Sequence, residues 1–318
     1  MHPLFQQILS GDPVPPHQIA LLPKLFPEGL LDLMAVARVQ ASHFSGKPFT
    51  CGIINAKSGD CTEDCSFCAQ SRFHAAHTEV YPRVAVDTLL KKAEELAAAK
   101  ATYMGIVISG KSPSPRDIDF FCSAAETLLK HVEIKLCASF GILTQKQAVA
   151  LRQAGFSRYH HNLETSRSFY PSVCTTHAYE LRLETVKNAK EAGLMVCSGG
   201  IFGLGETWEQ RIELAQTLKE LSVDSIPVNF LTAIPGTTLE KNPPLSPQES
   251  LAVIAIMRLI NPHPDIIVCG GRKSVFGEWE KLIFPAGANG LMTGNYLTTT
   301  GRDFESDNAM MHLLGVRQ

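Results

Sequence analysis

Eight short apolar runs constrain the fold of this chain more than any other feature of its sequence. Most of them are separated by amphipathic segments of helical length. The runs are Cys51–Ala56, Tyr103–Ile108, Glu133–Ala138, Arg158–Leu163, Met195–Phe202, Ile226–Leu231, Asp265–Cys269 and Asn289–Met292. Such repetition indicates βα units with parallel strands. Eight strands with crossover helices suit a closed barrel better than an open sheet, so we predict an α/β fold, a parallel (β/α)8 barrel of the TIM type.

The segments between the runs have helical patterns with recognisable ends. In Asp87–Lys100, leucine and alanine recur at helical spacing, and Asp87 is placed as the N-cap. A later segment shows the same spacing, and Gly193 is placed just beyond its C-terminus. These patterns predict helices that cover the outside of the barrel.

The first 48 residues differ from the rest because they are rich in proline and carry none of the eight runs. We predict an N-terminal helical extension over residues 1–48 that caps the barrel. The barrel domain then covers residues 49–318 and includes the C-terminal tail. A chain of 318 residues is about right for one such barrel.

Charge and hydropathy argue against nucleic acid and membrane partners. The chain has 29 Lys and Arg against 31 Asp and Glu, a net charge of −2, so it lacks the basic excess of a nucleic-acid or anionic-membrane binder. No run approaches the roughly 18 apolar residues of a membrane helix. Residues 1–7 lack the basic and apolar regions of a signal peptide, so the expected location is cytoplasmic.

The strongest motif is a C-x3-C-x2-C triplet that follows the first predicted strand, formed by Cys61, Cys65 and Cys68. We call these three the loop cysteines. Cysteines in a reduced compartment are better metal ligands than disulfide partners. Three thiolates can hold three irons of a [4Fe–4S] cluster and leave the fourth iron open. The alternative, a structural zinc site, wants four ligands, and no local histidine or cysteine completes that pattern.

This triplet resembles the signature of the radical S-adenosylmethionine superfamily. The resemblance implies that the open iron chelates the amino and carboxylate groups of S-adenosylmethionine. One electron from the cluster then cleaves the sulfonium and gives a 5′-deoxyadenosyl radical. Phe67, before the last loop cysteine, is implied to lie near the adenine, although simple loop packing is its alternative role.

Further segments resemble the biotin synthase family within that superfamily. They are Lys57–Cys65, Cys68–Ser71, His161–Thr165, Val196–Ile201, Gly203–Glu206 and Ala286–Asn289, and the resemblance extends from about residue 30 to 302. Radical chemistry of this family inserts sulfur from an auxiliary iron–sulfur cluster into dethiobiotin to form biotin. Such an enzyme is a sulfurtransferase.

The same resemblance implies individual contacts. Arg182 matches an arginine that binds the S-adenosylmethionine carboxylate, with an exposed helix charge as the alternative. Glu164 replaces an aspartate near the ribose. The stretch Gly199, Gly200 and Ile201 is implied to line the cofactor cleft, and packing is the alternative for the glycines. Asn162 and Asn229 match asparagines that bind the ureido ring of dethiobiotin; satisfied turn asparagines are the alternative.

The auxiliary site departs from the family pattern. The resemblance implies a second, [2Fe–2S] cluster held by three cysteines and one arginine. Cys137 and Cys197 match two of these positions, but Tyr103 and Ile267 stand at the other two. A standard [2Fe–2S] site is therefore not expected.

Two other cysteines restore a set of four. Cys269 lies two residues after Ile267 and shares its strand face, and Cys51 lies on the first strand. The four are Cys51, Cys137, Cys197 and Cys269, which we call the barrel cysteines. They come from the first, third, fifth and seventh strands, and alternate strands fill one layer of a barrel interior. We predict an auxiliary cluster of the four-iron type; four buried cysteines that fill the core are the alternative.

The resemblance also implies partners. These are a flavodoxin or ferredoxin as electron donor, the iron–sulfur assembly machinery, and a second copy of the chain in a homodimer. Two other functions stay open. One is a relative that rearranges an amino acid or assembles a hydrogenase cofactor, and the other is an iron–sulfur carrier without catalysis. Cys122 is interpreted as helix packing, while the roles of Cys174 and Arg272 stay undecided.

Overall fold

A closed barrel of parallel strands forms the centre of the molecule, seen in a computed structural model that describes residues 3–10, 14–44, 46–296 and 301–314. The strands are β1 (Phe49–Lys57), β2 (Tyr103–Ile108), β3 (Lys135–Ser139), β4 (Arg158–His160), β5 (Met195–Cys197), β6 (Gly200–Phe202), β7 (Ser225–Phe230), β8 (Asp265–Val268) and β9 (Gly290–Met292). Ser198 and Gly199 interrupt one strand and separate β5 from β6, so these two short strands together occupy one barrel position.

The order of pairing closes the sheet on itself. The strands follow one another as β5-β4-β3-β2-β1-β9-β8-β7-β6, and β7 also pairs with β5. All of these pairs are parallel. Each of the eight apolar runs overlaps one barrel position, so the predicted (β/α)8 barrel is confirmed.

Helices surround this barrel on the outside and precede it in the chain. They are α1 (Pro3–Leu9), α2 (Leu30–Phe44), α3 (Val86–Ala98), α4 (Pro115–His131), α5 (Gln145–Gln153), α6 (Tyr179–Glu191), α7 (Trp208–Glu220), α8 (Pro247–Ile260), α9 (Arg272–Phe276) and α10 (Phe304–Leu313). Short 3-10 turns cover Pro16–Leu25, Tyr170–Ser172 and Gly277–Leu282.

Side-chain caps set where several helices begin. Ser114, Thr144 and Thr207 each accept a backbone hydrogen bond at the start of α4, α5 and α7, in reciprocal capping boxes. The predicted cap at Asp87 is wrong because α3 begins one residue earlier, after Ala85. The Asp87 carboxylate instead lies in the first turn, where the helix dipole favours a negative charge.

The end of α6 agrees with its prediction. Gly193 follows the last residues of that helix with a φ of +81°, a left-handed conformation that glycine adopts without strain. The chain can therefore turn sharply into β5.

The N-terminal extension shares its core with the barrel. Helix α2 packs against α8, and buried side chains of both belong to one continuous apolar cluster with the strands. This helix, α8, is apolar on most sides and is almost wholly buried. The boundary at residue 48 stays a prediction, because packing does not separate the two parts.

A buried ion-pair network holds the C-terminal helix onto the barrel. Arg272, at the start of α9, is 1% exposed. Its Nη1 and Nη2 atoms donate to the two carboxylate oxygens of Asp307 on α10 at 2.8 and 2.6 Å, and Nη1 lies 2.6 Å from Oε1 of Glu280. Arg272 therefore bridges helical segments, one of the two roles that the sequence left open.

Replacing Asp307 with alanine is expected to destabilise the protein by about 3–5 kcal/mol, because one partner of a buried pair is lost. Urea denaturation of the cluster-free chain measures this loss. Asp303→Ala is the matched control, since Asp303 is an exposed N-cap of the same helix, worth about 1 kcal/mol. Equal losses for the two variants would show that the buried network adds nothing beyond helix capping.

Candidate functional site

One cavity connects nearly all of the predicted site residues. It has a volume of about 420 Å3 and lies inside the barrel and at the carboxyl ends of its strands. Its walls include both groups of cysteines, together with Phe67, Asn162, Glu164, Arg182, Ile201 and Asn229. Residues from distant parts of the chain therefore meet where barrels of this type carry their chemistry.

Backbone hydrogen bonds shape the loop that follows β1. The Gln70 side-chain oxygen accepts from the Gly59 amide at 2.9 Å, and the Gln70 carbonyl accepts from the Cys61 amide at 2.9 Å. Gly59 and Asp60 both have left-handed backbones, with φ of +77° and +49°. The turn thus gains a fixed curvature, which points the three loop cysteines into the cavity.

A buried polar group lies behind this loop, and sequence analysis missed it. Nδ1 of His177 pairs with Glu63 and lies 3.3 Å from Sγ of Cys174, while Nε2 lies 2.8 Å from the Tyr170 hydroxyl. A hydrogen bond with Cys174, followed by burial, raises the pKa of the Cys65 thiol. Cys174 therefore supports a loop cysteine from behind. More than 100 residues separate Glu63 from His177, so no local pattern could join them.

Arg182 is aimed at the cavity from α6. It is 7% exposed, so the alternative of an exposed helix charge is wrong. Its Nη1 donates to the Asn162 carbonyl at 2.9 Å and to Oε1 of Glu164 at 3.3 Å, while Nε donates to the Tyr170 hydroxyl at 2.8 Å. These contacts fix the plane of the guanidinium.

Both predicted substrate asparagines have hydrogen bonds of their own. Oδ1 of Asn162 accepts from the Gly199 amide at 3.2 Å, and Oδ1 of Asn229 accepts from the Gly270 amide at 3.0 Å. Each side-chain oxygen retains a second lone pair, and each side-chain nitrogen retains an N–H for a further hydrogen bond. They can therefore bind a ligand in the cavity while they stabilise the loops.

The glycine pair between β5 and β6 has a packing role. A Cβ atom at Gly199 would lie 2.0 Å from the Pro227 carbonyl oxygen, and one at Gly200 would lie 2.5 Å from the Glu164 carbonyl oxygen. Among the described residues, Ile201 lines the cavity but neither glycine does. The close approach that these glycines permit in this structure is to neighbouring backbone.

All four barrel cysteines line the cavity. All are buried free thiols. Cys51, Cys197 and Cys269 share an apolar cluster with Tyr103 and Ile267. Cys137 is close enough to Cys51 and Cys197 for their charges to interact. Burial raises the pKa of all four, to about 12 for Cys51.

Converging thiols of this kind fit an iron–sulfur cluster. Desolvation disfavours free thiolates there, and metal binding would remove the thiol protons and restore a favourable charge balance. The buried cation Arg158 is close enough to these thiols for its charge to act on Cys197. Two of its guanidinium nitrogens lack a hydrogen-bond partner within the described residues. The thiol donors and a buried cation with free N–H groups both suit an anionic cluster.

Comparison with known proteins decides the family. A biotin synthase of Nitratidesulfovibrio vulgaris (strain DP4) is 54% identical over 288 residues, which cover 90% of this chain and 80% of that protein. A biotin synthase of Syntrophus aciditrophicus (strain SB) is 43% identical over 307 residues, 96% and 91% of the two chains. The chain belongs to the biotin synthase family. It is therefore a radical S-adenosylmethionine sulfurtransferase.

Family descriptions match both parts of this biotin synthase family member. Residues 57–218 match the Radical SAM superfamily, and residues 227–317 match the Biotin and Thiamin Synthesis associated domain. Membership implies a [4Fe–4S] cluster, S-adenosylmethionine and an auxiliary iron–sulfur cluster. These matches exclude the interpretation as a non-catalytic iron–sulfur carrier.

Solved structures with lower identity share the fold of the biotin synthase family chain. Methylornithine synthase superposes with a TM-score of 0.85 at 21% identity, covering 99% of this chain and 96% of that one. The hydrogenase maturase HydG gives 0.82 at 17% identity, covering 98% and 73%. Within the described residues, none of the helices is both long and apolar enough for a membrane span.

Proposed function

We propose that this chain converts dethiobiotin to biotin, with S-adenosylmethionine as the radical source and an auxiliary four-iron cluster as the sulfur donor. The observation that carries the proposal is the cavity itself. The three loop cysteines and the four barrel cysteines line one space together with groups suited to both small molecules. Radical S-adenosylmethionine and cluster sulfur chemistry would supply hydrogen abstraction and sulfur transfer when the groups are bound.

Several residues that line the cavity are suited to bind the cofactor. The loop cysteines would hold three irons, and the charged guanidinium of Arg182, whose Nε and Nη1 are already engaged, would bind the methionine carboxylate through Nη2. Glu164 lies beside Arg182 and would accept hydrogen bonds from the ribose hydroxyls. Phe67 and Ile201 would contact the adenine, since both line the cavity and pack against one apolar cluster.

Two asparagines that line the cavity are suited to orient dethiobiotin. The Asn162 carbonyl accepts from Arg182, and Asn229 on β7 is paired with Ile201 on β6. A cyclic urea has both donors and acceptors, which an amide side chain matches. The binding role proposed for Gly199 and Gly200 is indirect, since they let the backbones around these asparagines approach each other.

For the auxiliary site we favour a four-iron cluster over the [2Fe–2S] cluster with three cysteines and one arginine that the family resemblance implies. Four thiolates can ligate a four-iron cluster, although two-iron clusters of the ferredoxin type also use four thiolates, so the departure from the family ligand set supports this choice. Tyr103 and Ile267 lie in the same cluster of side chains but offer no ligand of the kind that the two-iron site uses. The buried walls would exclude water and protect reactive species from side reactions.

The implied partners complete the proposal. We propose a flavodoxin or ferredoxin as the electron donor, and the iron–sulfur assembly machinery as the source of fresh clusters. A homodimer is the proposed assembly. A reducing cytosol is the proposed compartment, because the cysteine ligands and the two proposed clusters would not persist in an oxidising one.

Anaerobic turnover of the reconstituted full-length chain tests the function. Dethiobiotin, S-adenosylmethionine and a strong reductant should give 5′-deoxyadenosine and biotin, with two cofactor molecules consumed per biotin. Mössbauer spectra before and after turnover should show two four-iron sites and a loss from one of them. Cofactor cleavage without biotin would contradict the proposed sulfur insertion.

Replacing Arg182 with lysine is expected to raise the S-adenosylmethionine concentration for half-maximal cleavage about 10- to 100-fold, since charged hydrogen bonds to the carboxylate are lost. Steady-state formation of 5′-deoxyadenosine measures the effect. Arg167→Lys is the matched control, because Arg167 is exposed and its pair with Glu180 lies on the surface. An unchanged requirement in Arg182→Lys would remove this residue from the cofactor site.

A further inference from the structure

Arg158 occupies an unusual place inside the barrel. It opens β4, its Cα pairs with that of Cys137 on β3, and its side chain is 1% exposed. The guanidinium carbon lies 3.7 Å from the centre of the Tyr103 ring and 5.7 Å from that of Phe49. The side chain reaches the cavity wall at the level of the barrel cysteines. Stacking on Tyr103 fixes the plane of its fork.

The guanidinium has few partners for a buried cation. Within the described residues, Nε and Nη2 have no hydrogen-bond partner. The nearest carboxylate is Asp265, whose Oδ2 lies 3.9 Å from Nη2, too far for a hydrogen bond. Oδ1 of Asp265 already accepts from Asn289 at 2.6 Å. Positive charge at Arg158 is therefore incompletely neutralised by this chain.

Two other buried arginines provide the comparison. Arg258 donates to a set of backbone carbonyls, at 2.8 Å to Gly287 and 2.7 Å to Pro264, and Arg272 is paired with Asp307 and Glu280. Both therefore have stabilising partners within the chain. Arg158 differs from them in its free donors, and a buried cation whose donors lack close partners is unfavourable.

An anion at the barrel cysteines would meet this requirement. The charge of Arg158 acts on Cys51, Cys137 and Cys197 and lowers the pKa of each against the effect of burial. The remaining barrel cysteine, Cys269, is influenced by Arg272, which is already paired with Asp307. Within the described part of the chain, Arg158 is thus an incompletely neutralised cation that acts on this group of thiols.

We propose that Arg158 is a positioning residue that donates hydrogen bonds to the sulfur atoms of the auxiliary cluster and offsets its negative charge. The proposal rests on the auxiliary cluster of the proposed function. Four cysteines complete the iron ligands, so the guanidinium acts beside the cluster and not as a ligand. Hydrogen bonds to cluster sulfurs and nearby positive charge both raise the reduction potential of a cluster. Arg158 therefore sets how readily the auxiliary cluster accepts an electron.

Redox titration of the reconstituted full-length chain, followed by electron paramagnetic resonance, tests this role. Arg158→Gln removes the charge, Arg158→Lys keeps it without the fork, and Lys135→Gln is the matched control. Lys135 also lies against Tyr103, 5.6 Å from its ring centre, but it is exposed to solvent. Iron and sulfide counts accompany each titration.

The expected result is a lower auxiliary potential in Arg158→Gln. At a fixed solution potential near the midpoint of the wild-type auxiliary cluster, the ratio of reduced to oxidised cluster should fall at least tenfold in this variant. That corresponds to a shift in midpoint potential of about 59 mV for one electron. Arg158→Lys should recover part of that shift. Lys135→Gln should match wild type, because solvent screens its charge. The potential of the loop cluster should be unchanged in all variants.

The outcomes separate the two proposals. A wild-type chain with no second cluster contradicts the proposed function and this role together. A second cluster whose potential is the same in Arg158→Gln overturns the role of Arg158 alone. If Arg158→Gln binds no second cluster but melts like the cluster-free wild type, recovery in Arg158→Lys supports the role. Equal loss in the lysine variant overturns the role of charge.

Discussion

Replacing Cys65 with alanine is expected to abolish cleavage of S-adenosylmethionine and to remove about half of the iron bound by the chain. Two remaining thiolates cannot hold a four-iron cluster in this loop, and the cofactor would lose the open iron that binds it. The barrel cysteines lie on other strands and should still bind their own cluster. Iron analysis and 5′-deoxyadenosine formation under strong reductant measure both effects.

Cys122→Ala is the control for that experiment. Cys122 is partly buried on α4 and packs at the edge of the apolar core, so its loss should leave iron content and cofactor cleavage unchanged. Retention of full cofactor cleavage in Cys65→Ala would contradict the assignment of the loop cysteines. Zinc in place of iron at this loop would contradict it as well.

Replacing both Cys51 and Cys269 with alanine is expected to reduce biotin formation to background while cofactor cleavage continues. These two cysteines come from the first and seventh barrel positions, whereas Cys137 and Cys197 come from the third and fifth. The remaining pair is too few for a four-iron cluster. Iron counts and Mössbauer spectra should therefore lose the auxiliary four-iron signal and keep that of the loop cluster.

Ile267→Val tests whether the same layer responds to simple loss of volume. Ile267 lies in the same side-chain cluster as Cys51 and Cys269, and its shortening should cost about 0.5–1.5 kcal/mol of stability without loss of iron. If the auxiliary four-iron signal survives the double cysteine change, the ligand assignment is wrong. If Ile267→Val also loses that signal, packing of the layer and not thiol ligation controls the site.

Local patterns predicted the parts of this molecule that depend on neighbours in the chain. Apolar runs predicted the strands because each strand position of a parallel barrel is buried on both faces. Gly193 predicted the end of a helix because its left-handed conformation depends on the adjacent turn. The loop cysteines lie within eight residues, so their spacing alone indicates a shared metal site.

Predictions from the sequence were wrong or incomplete where two local conformations have similar energies, or where interacting residues are far apart in the chain. Asp87 was predicted as a cap, but the helix begins one residue earlier, because an acid is also favoured in the first turn. Cys174 was left undecided, since its neighbours Cys65 and Glu63 come from a loop more than 100 residues away. Arg158 drew no attention at all as one charged residue at the start of a strand.

By itself, then, the sequence determined the repeated βα units, the loop triplet, the family resemblance and the set of four additional cysteines. Only the tertiary structure decided that the barrel cysteines converge on one cavity, that Arg272 is fully paired and that Arg158 keeps free hydrogen-bond donors. The physical reason is that strand register and burial control which charges are desolvated together. The charges that interact inside a closed barrel come from strands that are far apart in the chain, so no local sequence pattern can predict whether they neutralise one another.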